Sequence, residues 1–289
     1  MTRRSRLLTF TITACLPVAG FLVAAIPAAN AAASPAASAR AHAAVIARDF
    51  LRHLKVGQHA ANHAVGTNRP AISGLNQVDS TNWSGYADDN SAGNTYSSVA
   101  ASWTEPTGTC SGSTTSLAAF WVGIDGYTSD SVEQDGTLIE CYERTAYYYT
   151  WWEMYPTNAI QVVGETLRPG DSITASVVRS GSTYTLKVTD SSRSADSFTK
   201  TETCSSCANS SAEWIAEAPS GSSGVYPLTN FGTWSASGAT VTANSGSGVI
   251  SSFSDDELTM VDSSGNVKAQ PGSLNGSGNG FSVTWKRST

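Results

Sequence analysis

The chain has 289 residues, with 17 Lys and Arg against 23 Asp and Glu, for a net charge of −6. That acidity works against a phosphate-backbone partner, so nucleic acid is excluded. Beyond the N-terminus no stretch approaches the about 18 consecutive apolar residues of a membrane span.

In chain order, the first segment reads as a targeting sequence. Arg3, Arg4 and Arg6 precede an apolar run from Leu7 to Pro27, and Ala29-Asn30-Ala31 fits the small-x-small cleavage pattern. Residues 1–31 are therefore expected to be a signal peptide, leaving a secreted, extracellular protein with no membrane contact. The segment 32–78 is Ala-rich, and "HAAVIARDFLRHL" puts Ile46, Phe50 and Leu54 on one helical stripe. It contains all four histidines, His42, His53, His59 and His63. The polar stretch "VGTNRPAISGLNQVDST" that follows is of the kind proteases cut. Too short to build a core, 32–78 is expected to be a propeptide and 79–289 the functional domain.

From Ser80 the character changes. Residues 80–289 carry 9 Lys and Arg against 21 Asp and Glu, a net of −12, and hold all 8 Trp and 10 Tyr. About 210 residues suffice for one core, and all-β domains of that size are common. The segments "SSVAASWTEP", "LAAFWVGIDG", "YYYTWWEMYP", "DSITASVVRS", "STYTLKVTD", "AEWIAEA", "ATVTAN" and "FSVTWK" are short and β-branched or aromatic. Gly, Ser, Asp, Asn or Pro bound them, as expected of strands. No long helical periodicity follows residue 80. The expected fold is all-β, an antiparallel sandwich, with the Ser/Gly-rich C-terminal part reading weakly.

Once Cys15 leaves with the signal, Cys110, Cys141, Cys204 and Cys207 remain, an even number in an exported chain. Cys204-Ser-Ser-Cys207 suits a local bridge, which leaves Cys110 for Cys141, although four cysteines allow three connectivities. Export into an oxidising space argues against a zinc site, so no metal is expected.

Alternation assigns the faces. Phe120, Val122 and Ile124 share one side of their strand, with Trp121, Gly123 and Asp125 on the other. Trp151, Glu153 and Tyr155 share a side opposite Trp152 and Met154, and read as a wet face for an extended ligand. In "SAEWIAEA", Glu213, Ile215 and Glu217 oppose Ala212, Trp214 and Ala216. Glutamate is costly to bury without a partner, so Glu213 asks for a chemical reason.

With no histidine after residue 63, Ser-His-Asp and Cys-His catalysis and His-ligated zinc are ruled out for the domain. No G-x-S-x-G is present. Ser197 and Lys200 match S-x-x-K, but on a strand they point opposite ways. A hydrolase here must use a carboxylate.

These residues resemble the glutamic peptidases, the eqolisins, from about Asn82 to the C-terminus. "FWVGIDG" is similar to the family's W-V-G-I-D-G strand and "VEQDGT" to the block carrying its glutamine. "YTWWEMYP" resembles its W-Y-E-W-Y-P block and "SAEWIAE" its N-A-E-[FW]-I-x-E block. The resemblance implies two curved stacked sheets, Gln134 and Glu213 as catalytic residues, and Trp121, Asp125, Trp151, Glu153 and Tyr155 along the substrate cleft. It implies polypeptide substrates and no cofactor. There are departures. The stretch from Asp125 to Gln134 is one residue shorter than in fungal members. Asp135 replaces a small neutral residue, and Tyr149 an acid.

Peptide hydrolysis needs a base for water, a donor for the oxyanion and an acid for the leaving amine. A carboxylate can be base and then acid, and a carboxamide donates N–H without carrying charge. Rival readings of the same faces are a carbohydrate-binding sandwich, or a glycosidase using Glu153 and Glu213 as its two carboxylates. A monomer is expected. Its one intrinsic partner is the propeptide, whose segment 32–79 has 5 Lys and Arg against 2 Asp. That cationic segment is expected to lie on the acidic domain near neutrality and leave it in acid. A propeptide whose affinity did not fall between about pH 7 and pH 4 would contradict this.

Overall fold

The computed structural model describes residues 69–72 and 75–289. The expected signal peptide, the helix with its four histidines, and most of the expected propeptide lie outside the described residues. In chain order the strands are β1 (Arg69–Ile72), β2 (Leu75–Ser80), β3 (Trp83–Asp88), β4 (Tyr96–Thr104), β5 (Ser116–Asp125), β6 (Val132–Tyr142), β7 (Thr145–Tyr155), β8 (Asn158–Gly164) and β9 (Ser172–Ser180). There follow β10 (Thr183–Asp190), β11 (Phe198–Thr203), β12 (Ala212–Glu217), the short hairpin β13 (Ser220–Gly221) and β14 (Gly224–Val225), β15 (Thr233–Ala243), β16 (Gly246–Gly248), β17 (Asp255–Val261), β18 (Val267–Pro271) and β19 (Phe281–Trp285). The described residues form no α-helix, only 3-10 turns at Ser194–Asp196 and Ile250–Ser252.

Two sheets stack, as expected. The first runs β1-β2-β17-β3-β12-β5-β6-β7-β8, with β18 and β19 branching from β17. The second runs β11-β10-β9-β4-β15-β16. Pairing within both is antiparallel except at β2, which lies parallel to β17 from Asn76 to Ser80. This strand spans the boundary expected at 78, so a cut there would divide it. β15 belongs to both sheets. Trp234–Ala236 pair with β19 in the first, and Val241–Ala243 pair with both β4 and β16 in the second. Gly238, at φ 60°, lies within the register shift where it crosses, a conformation that suits glycine.

Period-2 alternation decides what fills the space between the sheets. Phe120, Val122, Ile124, Trp152, Met154, Ala212, Trp214 and Ala216 meet Val177, Leu186, Val188 and Val241 there. Phe120 stacks on Trp234 at 5.4 Å, and Trp103 meets Trp234 edge-on at 5.8 Å. On the opposite face of the first sheet Trp83, Trp121, Trp151, Tyr149 and Ile215 form a second buried cluster. Disulfides join Cys110 to Cys141, at the end of β6, and Cys204 to Cys207, ahead of β12.

Candidate active site

Strand register assembles the site. Directly opposite residues of antiparallel neighbours share a face. Glu213 on β12 stands opposite Gly123 on β5, Gly123 opposite Gln134 on β6, and Gln134 opposite Glu153 on β7. Glu213 and Gln134 therefore flank the only member of the row without a side chain. A Cβ at Gly123 would sit 2.9 Å from the Trp121 ring and 3.3 Å from Gln134 Cβ. The next row on the same face runs Ile215, Trp121, Gly136 and Trp151. Gly136 lets the backbone lie against β5, since a Cβ there would meet the Phe120 carbonyl at 2.0 Å.

All three polar members of the first row are buried, at 0% exposure for Glu213 and Gln134 and 1% for Glu153. Gln134 Nε2 donates to Glu153 Oε2 at 2.8 Å. Burial holds the Glu153 carboxyl well above the ordinary carboxylate range, with the nearby Glu217 adding to it, while Gln134 and the Ile160 N–H work the other way. Glu213 is raised likewise, first by burial and then by the charges of Asp125 and Asp88. Ser211 and the backbone of Tyr127 lie near enough to ease that rise.

The wet face expected of Trp151, Glu153 and Tyr155 is packed at its first two members, and only Tyr155 keeps partial exposure; Trp121 is buried beside them. The reason is local. Trp121 packs edge-on against Trp83 at 5.0 Å and donates Nε1–H to Glu217 at 2.9 Å, while Glu153 is taken up by Gln134. Tyr155 stands opposite Val132 at the end of β7. Asp125, at φ 71°, accepts the N–H groups of Asn209 and Ser210, both at 2.7 Å, and the hydroxyls of Ser210 and Ser131. It staples the segment leading into β12, and so sets where Glu213 begins its strand.

Asp135 points the other way, into the space between the sheets, where burial raises its pKa well above the usual value. Glu133 on the same side is also raised, by burial and then by Asp125. Among the described residues, Glu133, Cys204 and Cys207 bring three potential metal ligands together, but the sulfurs are joined and offer no thiolate.

Residues beyond those expected also face the site. Glu217 holds Trp121 and accepts from Asn82 Nδ2 at 3.3 Å. The alternation of "AEWIAE" already put it beside Glu213. Asp256 extends the row through Ala87, and Tyr127 donates its hydroxyl to it at 2.5 Å. No local signal marks Asp256, which a distant strand pairing brings in.

The model of the Peptidase A4 family matches residues 81–285. No curated protein matches the chain in sequence. Among solved structures, scytalido-glutamic peptidase with a transition state analog inhibitor is similar at 22% identity and a TM-score of 0.60, over 71% of this chain and 98% of that one. SCP-B, an eqolisin in complex with the tripeptide Ala-Ile-His, is 20% identical with a TM-score of 0.56 over the same shares. Aspergilloglutamic peptidase from Aspergillus niger is 25% identical with a TM-score of 0.51, over 59% of this chain and 99% of that one.

Proposed function

Because the chain belongs to the Peptidase A4 family, the glutamic peptidases, we propose that it is a secreted endopeptidase that hydrolyses unfolded polypeptides through Glu213 and Gln134. Glu213 takes a proton from the attacking water, Gln134 donates Nε2–H to the oxyanion of the tetrahedral intermediate, and Glu213 returns the proton to the leaving amine. A carboxylate with a raised proton affinity is a stronger base once ionised, and burial gives Glu213 that property. Glu153 fixes the carboxamide through its bond to Nε2. The reaction balances with water alone, so no cofactor enters it.

The observation that carries this reading is the row itself. Glu213 and Gln134 stand on either side of Gly123 on one sheet face, which puts a base and an oxyanion donor in one row with no side chain from the strand between them. Export, removal of residues 1–31 and maturation by loss of the segment from 32 rest on the leader, the even cysteine count and the charge contrast. The test is digestion of acid-unfolded casein from about pH 2 to about pH 7 by the matured protein. Cleavage confined to acid supports the reading. Cleavage at no pH, with polysaccharide cut instead, overturns it in favour of the two-carboxylate glycosidase.

Gly123→Ala should show how closely the pair is spaced. The new methyl presses on Trp121 and Gln134, and a misplacement of about 1 Å between reacting groups costs about a hundredfold in rate. Turnover is expected to fall by that order while circular dichroism stays that of the parent. Full activity in the variant would mean that the gap is not used.

A further inference from the structure

β4 and β15, with the segments that continue them, are zipped at two places and open in between. Ser102 pairs with Ser237 and Thr109 with Asn230, seven positions apart on each side, so the ladder resumes in the register it left. Among the described residues no pairing joins 103–108 to 231–236, because Thr233–Ala236 are bonded to β19 instead. The opening is a cleft of about 620 Å³, with Ser102–Thr107 on one side and Thr233, Ser235 and Ser237 on the other. On its core side Trp103 meets Trp234 edge-on at 5.8 Å.

Strand alternation decides which backbone groups face the cleft. The Glu105 N–H donates to Asp171 beside β9, so Thr104 turns its own N–H and C=O the other way, toward β15. The Gly232 carbonyl accepts from Trp285 beside β19, so Trp234 and Ala236 point there as well. Thr233 and Ser235 therefore point at the cleft. A sheet's outer edge offers one such row of donors and acceptors; this cleft offers two, face to face and closed at both ends. Ser and Thr supply most of the lining. Glu105, its one acid, is buried and raised to about 8, so the lining carries no charge in acid.

We infer that this cleft is a second docking site for polypeptide, holding an extended segment of the substrate by its main chain, apart from the row of Glu213 and Gln134. The class of ligand rests on the peptidase reading. A peptide main chain brings N–H and C=O groups in alternation, which is what the two facing edges leave unmatched. An uncharged hydroxyl rim asks little of the segment's side chains, which suits substrates of varied sequence. Unfolded proteins are cationic in acid, and a neutral cleft on an acidic domain does not repel them. The consequence is kinetic. A segment held here raises the effective concentration of its neighbouring residues at the dyad, provided the chain is long enough to span both sites.

The test uses Glu213→Gln, which binds substrate without cutting it, and acid-unfolded casein. Amide exchange at Thr104, Thr233 and Ser235 is expected to slow at least about tenfold with casein bound, while Trp234 and Ala236 do not change. In the active enzyme, Ser235→Pro removes one cleft-facing N–H and leaves the β19 bonds in place. Its KM for casein is expected to rise about tenfold at unchanged kcat, with a short peptide of one cleavable bond cut as by the parent. Ser235→Ala, which keeps the N–H, should match the parent on both substrates. The exchange measurement needs no substitution at the cleft, so it decides even if Ser235→Pro does not fold. Amides left unprotected by casein, or equal losses on casein and the short peptide, would overturn the inference alone. A parent enzyme that cuts neither substrate would overturn the peptidase reading, and the ligand named here with it.

Discussion

Glu213→Gln is expected to lower kcat/KM on unfolded-protein substrates by at least about a thousandfold, and Gln134→Ala by about a hundred- to a thousandfold. The first removes the base and acid, and the second the oxyanion donor. Because both serve one tetrahedral intermediate, the double variant should lose little more than Glu213→Gln alone, since residues that act as a unit are not additive. Glu213→Gln keeps the size of the side chain, and a neutral amide is easier to bury than a carboxylate. Gln134→Ala takes a hydrogen bond from buried Glu153, so stability must be read beside activity. The measurement is kcat/KM for the three variants at one acid pH, with melting temperatures alongside. Losses that multiply in the double variant would mean that the two side chains act at separate steps.

The second large effect is on stability. Burial raises Asp88 to about 9, helped by Asp255 and Asp89, and Glu105 to about 8. Glu133 and Asp135, between the sheets, move in the same direction. In the unfolded chain such groups titrate near about 4. The folded protein thus holds protons that the unfolded chain gives up, and its stability is greatest below that value. It is lost as pH rises through the window from about 4 to the folded values of about 8 and about 9. Each such carboxyl contributes on the order of 1.4 kcal/mol per pH unit across its window, and each kcal/mol costs about 2–4 °C of Tm in a domain of this size. Lys268, lowered to about 8 by burial, acts in the opposite sense, but only above that pH. Calorimetry is expected to show Tm falling steadily from acid to neutral pH, with Asp88→Asn and Glu105→Gln flattening the decline. A Tm that peaked near neutrality would refute this account.

Much of the site could be read in the sequence where a strand has one face toward the other sheet. The alternation of β5, β7 and β12 placed Phe120, Val122 and Trp214 against the core and Glu213, Trp121 and Glu153 on the other side. The strand that carries Gln134 was harder. β6 is buried on both faces and presents Glu133 and Asp135 to the second sheet, so no apolar alternation announces it. β17 was silent for another reason. Its acids acquire their places only by pairing with β3 and β2, more than 160 residues earlier in the chain. Propensity sees neighbours in sequence, and Asp256 has its meaning from neighbours in space.

β15 has a consequence for how the molecule can come apart. One continuous strand is hydrogen-bonded into both layers, turning at Gly238 from β19 to β4. Neither layer can peel away without pulling the same backbone out of the other. Local opening at the edges is permitted, but separation of the layers and loss of their pairing become one event, and the sandwich melts as a single cooperative unit.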